Sequence, residues 1–322
     1  MVKATIVQAV NMALDLELGR DRNVVVMGED VGVNGGVFRA TDGLQKKHGK
    51  ERVIDTPLSE EAIIGTAVGM AVNGMRPVAE IQFSGFVYSG FDQLFSHAAR
   101  IRNRSRGRFS VPLVVRTPAG AGIRALELHC EQGEAFFAHA VGLKMVIPST
   151  PYDAKGLLLA AIRDPDPVIF YEPMRLYRAI KEDIPEDDYT VPIGKARIAQ
   201  QGDDLTVISW GALSKFTLDA IQNNKVNAEV IDLRSIYPWD SEAVLNSVKK
   251  TGRAVIVHEA PRTSGFGAEI AATIAERAML ELEAPVVRVT GYDTAVPFAR
   301  TEMEYVPSEK RIMDGVNKVL KF

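Results

Sequence analysis

Short apolar runs alternate with helical patterns along this chain, and that alternation restricts its fold more than any other feature. NVVVMGED, RPVAEIQF, VPLVVRT, LKMVIP and PVIFYEP read as strands whose residues are apolar on both faces. Between them lie an amphipathic helix from about Ile6 to Leu18, a short helix near Leu44, and helices over 59–73, Gly90 to about Arg102, Glu134 to Ala138 and AKGLLLAAI. Strands apolar on both faces and separated by helices predict a parallel sheet covered on both sides, an α/β fold. In such a sheet, ligands lie off the carboxyl ends of the strands.

Composition changes abruptly at KEDIPEDDYTVP, which has five acids, two prolines and little to bury. A second, shorter alternation follows: LTVISWG, a helix from Ala212 to Ile221, AEVIDLRS, a helix from Ser241 to Lys249, AVIVHEAP, a helix from Gly267 to Met279, PVVRVTG and a terminal helix from Ser308. Residues 1–180 thus read as one α/β domain, 181–192 as an acidic linker and 193–322 as a smaller α/β domain. A chain of 322 residues is long enough for two cores. A net charge of −3 gives no overall pull toward nucleic acid or membrane. No run approaches the roughly 20 apolar residues that span a bilayer. The lone cysteine, Cys130, excludes an internal disulfide framework and fits a reducing cytoplasm. The first residues contain no cleavable apolar leader and reach at once a helix with a Thr5/Gln8 capping box.

The most unusual helix is in DTPLSEEAIIGTAVGMAVNG, residues 55–74. Pro57 holds Thr56 extended, which makes Ser59 the expected N-cap, its hydroxyl accepting a free backbone N–H. Glu60 and Glu61 then occupy the positive end of the helix. Behind them Ala62, Gly65, Thr66, Gly69 and Asn73 recur at three- and four-residue spacing, a stripe small enough to admit a second backbone. Each interior glycine costs about 1 kcal/mol against alanine, so close packing has to return more than that. Acids in a first turn are ordinarily there because the helix dipole favours them. This helix, however, is apolar nearly all round and offers a first-turn Glu little polar surface, which marks one of the two as a buried functional group. Periodicity alone does not choose between them.

Several motifs are absent. GEDVGVNGG lacks the Gly-x-Gly-x-x-Gly offsets, and Glu29 and Asp30 would repel a pyrophosphate. The chain has no Walker sequence, HExxH, CxxC or Gly-x-Ser-x-Gly. His129 and Cys130 are sequence neighbours that point apart in extended chain, so they are not a nucleophile and base pair. Cys130 reads as a small buried residue, and His97 and His258 as structural histidines. His129 lies in a polar loop after a strand's carboxyl end, where catalytic residues collect, although a lone His is more often structural. Arg100, Arg102, Arg104, Arg106 and Arg108 form one basic cluster without helical spacing, better suited to a protein partner or a charged substrate mouth than to nucleic acid.

Eight collinear blocks then point to a family: GEDVGVNGGVFRAT, RVIDTPLSE, PVAEIQF, ELHCEQ, PSTPYDAKGLLLAAIRDPDPVIFYEP, VIDLRSIYPWD, KTGRAVIVHEAP and APVVRVTGYDT. Across nearly the whole chain they resemble the beta subunit of the thiamin diphosphate-dependent decarboxylase component of 2-oxo acid dehydrogenase complexes. The resemblance implies a transketolase-type pyrimidine-binding domain followed by a transketolase C-terminal domain. It also selects Glu60 as the acid that meets N1′ of the aminopyrimidine, stabilising the imino tautomer so that the 4′-nitrogen can take the proton of the thiazolium C–H. For that role Glu60 should be largely removed from water, raising its pKa.

The same resemblance places Leu58, Gln82 and Phe86 against the ring, Glu29 near the active site, and His129 beside the thiazolium adduct and the incoming lipoyl arm. Phe86 stands where branched-chain relatives carry Tyr. Leu113, Val114, Ala161, Asp164 and Asp166 resemble a structural potassium site, with Asp166 in place of the usual Asn. The family's Gly-Asp-Gly to Asn-Asn motif for magnesium and the diphosphate is missing, and Asp314-Gly315 is isolated. The implied partner is therefore an alpha subunit that holds the diphosphate and magnesium, in a tetramer of two alpha and two beta chains, with the Gly65/Gly69 face as a contact. The acyl group would pass to the lipoyl domain of a dihydrolipoyl acyltransferase. AEIQF, IDLRSIYPWD and HEAPRTSGF favour a branched-chain 2-oxo acid as substrate, with pyruvate as the alternative. The competing readings are a one-chain transketolase or deoxyxylulose-phosphate synthase, and a subunit whose main role is docking the acyltransferase core near Glu281–Glu283 and Phe322.

Overall fold

The computed structural model describes residues 1–322. After β1 (Val2–Ala4), helix α1 (Ile6–Arg20) opens with the predicted capping box: the Gln8 N–H donates to the Thr5 hydroxyl at 3.3 Å, and the Thr5 N–H donates to the Gln8 side chain at 2.9 Å. The first half continues with β2 (Val24–Gly28), α2 (Leu44–His48), β3 (Val53–Asp55), α3 (Glu60–Val72), β4 (Arg76–Glu80), α4 (Ile101–Arg104), β5 (Val114–Ala119), α5 (Glu134–Ala138), β6 (Lys144–Val146), α6 (Pro151–Arg163), β7 (Val168–Pro173) and β8 (Glu182–Ile184). The second half contains β9 (Arg197–Gln200), β10 (Leu205–Ser209), α7 (Ala212–Asn223), β11 (Ala228–Asp232), β12 (Ser235–Tyr237), α8 (Ser241–Thr251), β13 (Ala254–Val257), α9 (Phe266–Arg277), β14 (Val287–Val289), α10 (Glu302–Tyr305) and α11 (Glu309–Leu320). No helix is long and apolar enough to cross a membrane.

The first sheet has the order β12-β6-β7-β5-β4-β2-β3, and all its pairings are parallel except that of β12. Every residue of β2, β5 and β7 is buried, as strands covered by helices on both faces must be. On one face α1 and α6 bring Ile6, Val10, Leu14, Leu158 and Ile162 into a single apolar cluster. On the other face Ile63, Ile64 and Ala67 of α3 belong to a cluster that runs on to Trp210, Ile256 and Ile270 of the second half. The second sheet, β14-β13-β10-β11-β9, is parallel apart from β9. The two halves therefore share a core, and β12, encoded in the second half, pairs antiparallel with β6 at the edge of the first sheet.

Three local expectations change. Residues 181–192 are not bare linker: β8 pairs antiparallel with β1, Ile184 and Val191 are buried, and the Lys155 ammonium donates to the carbonyls of Pro185, Glu186 and Asp187 at 2.7, 2.8 and 2.9 Å. The helix expected over 90–102 is two pieces, wide π turns at Gln93–Ala98 and then α4, preceded by tight 3-10 turns at Ser84–Gly90. Close approach to α3 accounts for the break, because a Cβ on Gly90 would lie 2.5 Å from Ile64 Cδ1. Ser59 occupies the N-cap position of α3, but its hydroxyl makes no capping bond, since φ −168° and ψ 86° turn the side chain away from the free N–H groups.

The central strands carry a buried ion cluster. The Arg116 guanidinium of β5 donates to both oxygens of Glu172, Nε at 2.6 Å and Nη2 at 2.8 Å, and through Nη1 to Glu80 at the end of β4. The Tyr177 hydroxyl donates to Glu172 at 2.5 Å. Arg116 is 1% exposed, Glu80 4% and Glu172 0%, so removing the cation would leave two carboxylates facing each other out of reach of water. Arg116→Ala is expected to destabilise the chain by about 3–5 kcal/mol, read as a lower urea midpoint at unchanged m-value.

Candidate active site

Register in the first sheet brings the predicted residues together. Gly28 pairs with Asp55 of β3 and with Glu80 of β4, so Glu29, the 56–60 segment and Gln82 leave the sheet at adjacent carboxyl ends. The glycine-rich loop after β2 folds back over this edge, its Gly32 N–H donating to Asp55 at 2.6 Å and its Gly36 N–H to the Asp30 carbonyl at 2.7 Å. Gly36, at φ 78°, rests against the ion cluster, where a Cβ would stand 2.9 Å from Glu80 Oε1. Glu29 is buried, and burial first, then the negative charges of Glu60 and Asp30, push its carboxyl above the ordinary range.

Helix α3 separates its two acids. Glu60 lies half-buried on the side of the buried Ile64 and Ala67, whereas Glu61 is exposed and within 3.5 Å of the Gln93 amide. The 3-10 turns cross the first turn of α3, since a Cβ on Gly90 would come within 3.3 Å of the Glu60 carbonyl, and they carry Phe86 to the same edge. Glu60 is thus not largely removed from water within this chain: it is half-buried, Leu58 is 77% exposed, and Ser59, Glu61 and Ala62 are exposed. The small stripe behind it also faces outward, with Ala62, Thr66, Gly69 and Asn73 exposed and nothing within 4 Å of a Cβ on Gly69.

His129 comes to the site from the loop after β5. Its ring packs on Phe83 at a centroid distance of 4.3 Å and edge-on to Phe86 at 5.0 Å, and its Nδ1 lies 3.1 Å from the Glu127 carbonyl. The Gly85 N–H donates to the Leu128 carbonyl at 2.9 Å and the Ser84 hydroxyl to the Glu131 carbonyl at 2.7 Å, tying this loop to the turn that bears Phe86. Glu29, Glu60, Gln82, Phe86 and His129 thus line one edge, a carboxylate, an amide, an aromatic face and an imidazole. That donor set fits a flat nitrogen heterocycle with a basic ring atom. Cys130 is buried as expected, and burial together with the neighbouring Glu302 carboxylate pushes its thiol up to about 12. His258 is structural: it is buried, stacks 5.1 Å from the Trp210 ring at 11°, and burial lowers it to about 3.

The two acids read as part of a potassium site have cationic partners within this chain. Asp164 accepts from the Lys144 ammonium at 2.7 and 2.8 Å, and Asp166 from Arg102 at 2.6 Å. The Leu113 carbonyl accepts the Val168 N–H, the Ala161 carbonyl accepts the Asp164 N–H, and Val114 lies in the paired strand β5. No group of His, Cys, Asp and Glu side chains is arranged to hold a metal ion. Asp314 and Gly315 lie inside α11, where Gly315 packs against Val289, and so form no phosphate loop. Sequence reading missed the buried carboxylates Glu80, Glu172, Glu134, Glu259 and Glu302. A charge at the end of an otherwise apolar strand, as in RPVAE and VIFYEP, is the signal that marks the first two.

Residues 2–180 match the family described as transketolase, pyrimidine binding domain, and residues 194–312 that described as transketolase, C-terminal domain. The chain is 52% identical over 324 residues to the pyruvate dehydrogenase E1 component subunit beta of Acholeplasma laidlawii, covering 100% of this chain and 99% of that one. It is 49% identical over 325 residues to the subunit of the same name from Bacillus subtilis (strain 168), covering 100% of both. Among solved structures, a split gene transketolase described as an inactive beta4 tetramer superposes with a TM-score of 0.80 at 20% identity over 98% of each chain, a likeness of fold.

Behind His129 the start of α5 holds Glu134, fully buried, with one oxygen 3.3 Å from the Trp210 indole N–H and the other without a partner. Burial pushes this carboxyl from 4.5 up to about 8. The folded chain therefore keeps a proton that the unfolded chain loses, and Glu134 withdraws stability as pH rises through the window from 4.5 to about 8. In Glu134→Gln that loss should be absent. Urea titrations at pH 5 and pH 8 should show the variant less destabilised by the higher pH than the parent, by on the order of a few kcal/mol.

Proposed function

The chain belongs to the family of 2-oxo acid dehydrogenase beta subunits of the pyruvate dehydrogenase E1 type, and from that premise we propose that it forms half of a thiamin diphosphate site that decarboxylates pyruvate. The observation that carries this reading is the gathering of Glu60, Gln82, Phe86 and His129 at one open sheet edge, with Glu60 half-buried on α3. The cofactor, when bound, supplies a nucleophilic carbon and an electron sink for the bond to CO₂. Glu60 holds the ring nitrogen by a charge-assisted hydrogen bond, and covering it with a second chain would complete its removal from water. Phe86 offers a stacking face, Gln82 and the Leu58 backbone hold the ring edge, and Glu29 lies near enough for its charge and that of Glu60 to act on each other. His129 stands where it can exchange a proton with the substrate-derived group and the incoming acceptor.

The other half of the site comes from an alpha subunit that carries the metal and the diphosphate, in a tetramer of two alpha and two beta chains. The outward stripe of α3 at Ala62, Thr66 and Gly69 and the exposed Leu58 suit such a contact, with Gly65 beside it half-buried against Gln93. The acyl group then passes to the lipoyl domain of a dihydrolipoyl acyltransferase. Relatives at 49–52% identity named for pyruvate displace the branched-chain preference expected from AEIQF and IDLRSIYPWD. The test is reconstitution with the alpha subunit. Pyruvate should be turned over faster than 3-methyl-2-oxobutanoate, this chain alone should be inactive, and Glu60→Gln should lose roughly 10²–10⁴-fold in kcat with the tetramer intact. A Glu60→Gln enzyme of full activity would leave docking as the chain's main role.

A further inference from the structure

The loop that presents His129 is encoded in the first half of the chain but is held by the second. Ala121 and Cys130 belong to the same apolar cluster as Leu205, Leu213, Val257 and Tyr305. Glu302, the first residue of α10 and 0% exposed, accepts the Gly122 N–H on Oε1 at 2.8 Å and the Arg124 N–H on Oε2 at 2.6 Å. The Cys130 thiol lies 3.5 Å from the same carboxylate. Glu259, just beyond β13, accepts the neighbouring Ala121 N–H. Three backbone donors in four residues are thus taken up by two buried acids from the other domain.

The loop needs such partners. Gly120 and Gly122 are at φ 95° and 100°, and Arg124 and Leu128 at 62° and 65°, left-handed conformations that Arg and Leu adopt only when their surroundings impose them. Gly122 also abuts Arg175, where a Cβ would fall 2.2 Å from Arg175 Cδ. An N–H donating to a buried carboxylate is worth about twice a neutral hydrogen bond, and a bridging carboxylate fixes the spacing of its two donors. At its far end the loop is tied by Ser84 and Gly85 to the turn that bears Phe86.

We propose that Glu302, supported by Glu259, is a positioning residue for His129: the C-terminal domain clamps the backbone of the His129 loop and so holds the imidazole against Phe83 and Phe86. This rests on the reading of His129 as part of the site. Neither acid touches that site, so their effect on turnover passes through the loop. Glu302→Gln sets an amide NH₂ against one of the two N–H donors and releases it, and Glu302→Asp, one methylene shorter, keeps the charge but cannot span both.

The test uses the enzyme reconstituted with its alpha subunit, and measures turnover with a lipoylated acceptor domain together with hydrogen–deuterium exchange. In Glu302→Gln the Gly122 and Arg124 amides should exchange faster, and kcat should fall about tenfold or more while KM for the 2-oxo acid stays within about twofold. Glu302→Asp should fall between variant and parent, and decides the matter if the Gln variant does not assemble. Wild-type kcat with a loosened loop, or unchanged exchange at both amides, overturns the clamp. His129→Ala is the control: normal turnover there would sink the reading of the site, while the exchange data would still decide whether Glu302 holds the loop.

Discussion

A guanidinium enclosed by two carboxylates at the centre of the first sheet is the contact on which the site geometry depends. Arg116 joins the end of β4, through Glu80, to β7, through Glu172, at 1% exposure. Apolar side chains would fill this space with less desolvation cost, and buried ion clusters are seldom the most stabilising choice. What the cluster provides is direction. Glu80 is two residues from Gln82 and six from Phe86, so the position of its carboxylate sets the path by which β4 leaves the sheet. The glycine-rich loop after β2 rests on the same carboxylate through Gly36, which couples the path of that loop to the cluster.

The two halves are joined more deeply than a linker would join them. β12 completes the first sheet, one apolar cluster runs from Ile64 to Ile270, and Asp153 of the first half meets Arg234 at 2.8 Å and Arg197 at 3.5 Å across the boundary. Even residues 181–192, rich in charge, supply a strand and three carbonyls for the Lys155 ammonium. The His129 loop follows the same pattern, with its sequence in one domain and its supports in the other. A C-terminal domain built this way takes part in shaping the proposed site although none of its side chains lines that edge.

Much of this was legible in the residues. The two α/β halves, the capping box at Thr5 and Gln8 and the burial of Cys130 follow from apolar periodicity and turn chemistry, while Glu60, Gln82, Phe86 and His129 were singled out as a proposed site by the family resemblance alone. The choice between Glu60 and Glu61 was not legible from spacing, because each shares a helical face with apolar neighbours, and only the packing of Ile64 and Ala67 puts Glu60 on the inner side. Substrate preference was not legible either. AEIQF and IDLRSIYPWD pointed to branched-chain acids, and relatives with full-length coverage carry the name of a pyruvate enzyme.

By itself the sequence determined the architecture: strands apolar on both faces admit only a covered parallel sheet, and the order of elements determines which carboxyl ends are neighbours. Only the tertiary structure decided which charges are buried and what each of them holds. Arg116 with its two acids, Glu134 against Trp210, and Glu259 and Glu302 on the His129 loop are pairings between residues 36 to 180 positions apart. Periodicity carries no information over such separations, and a buried carboxylate reads in sequence like any solvated one. The same limit applies to Glu60, half-covered by its own subunit, whose remaining exposure is a property of the assembled surface.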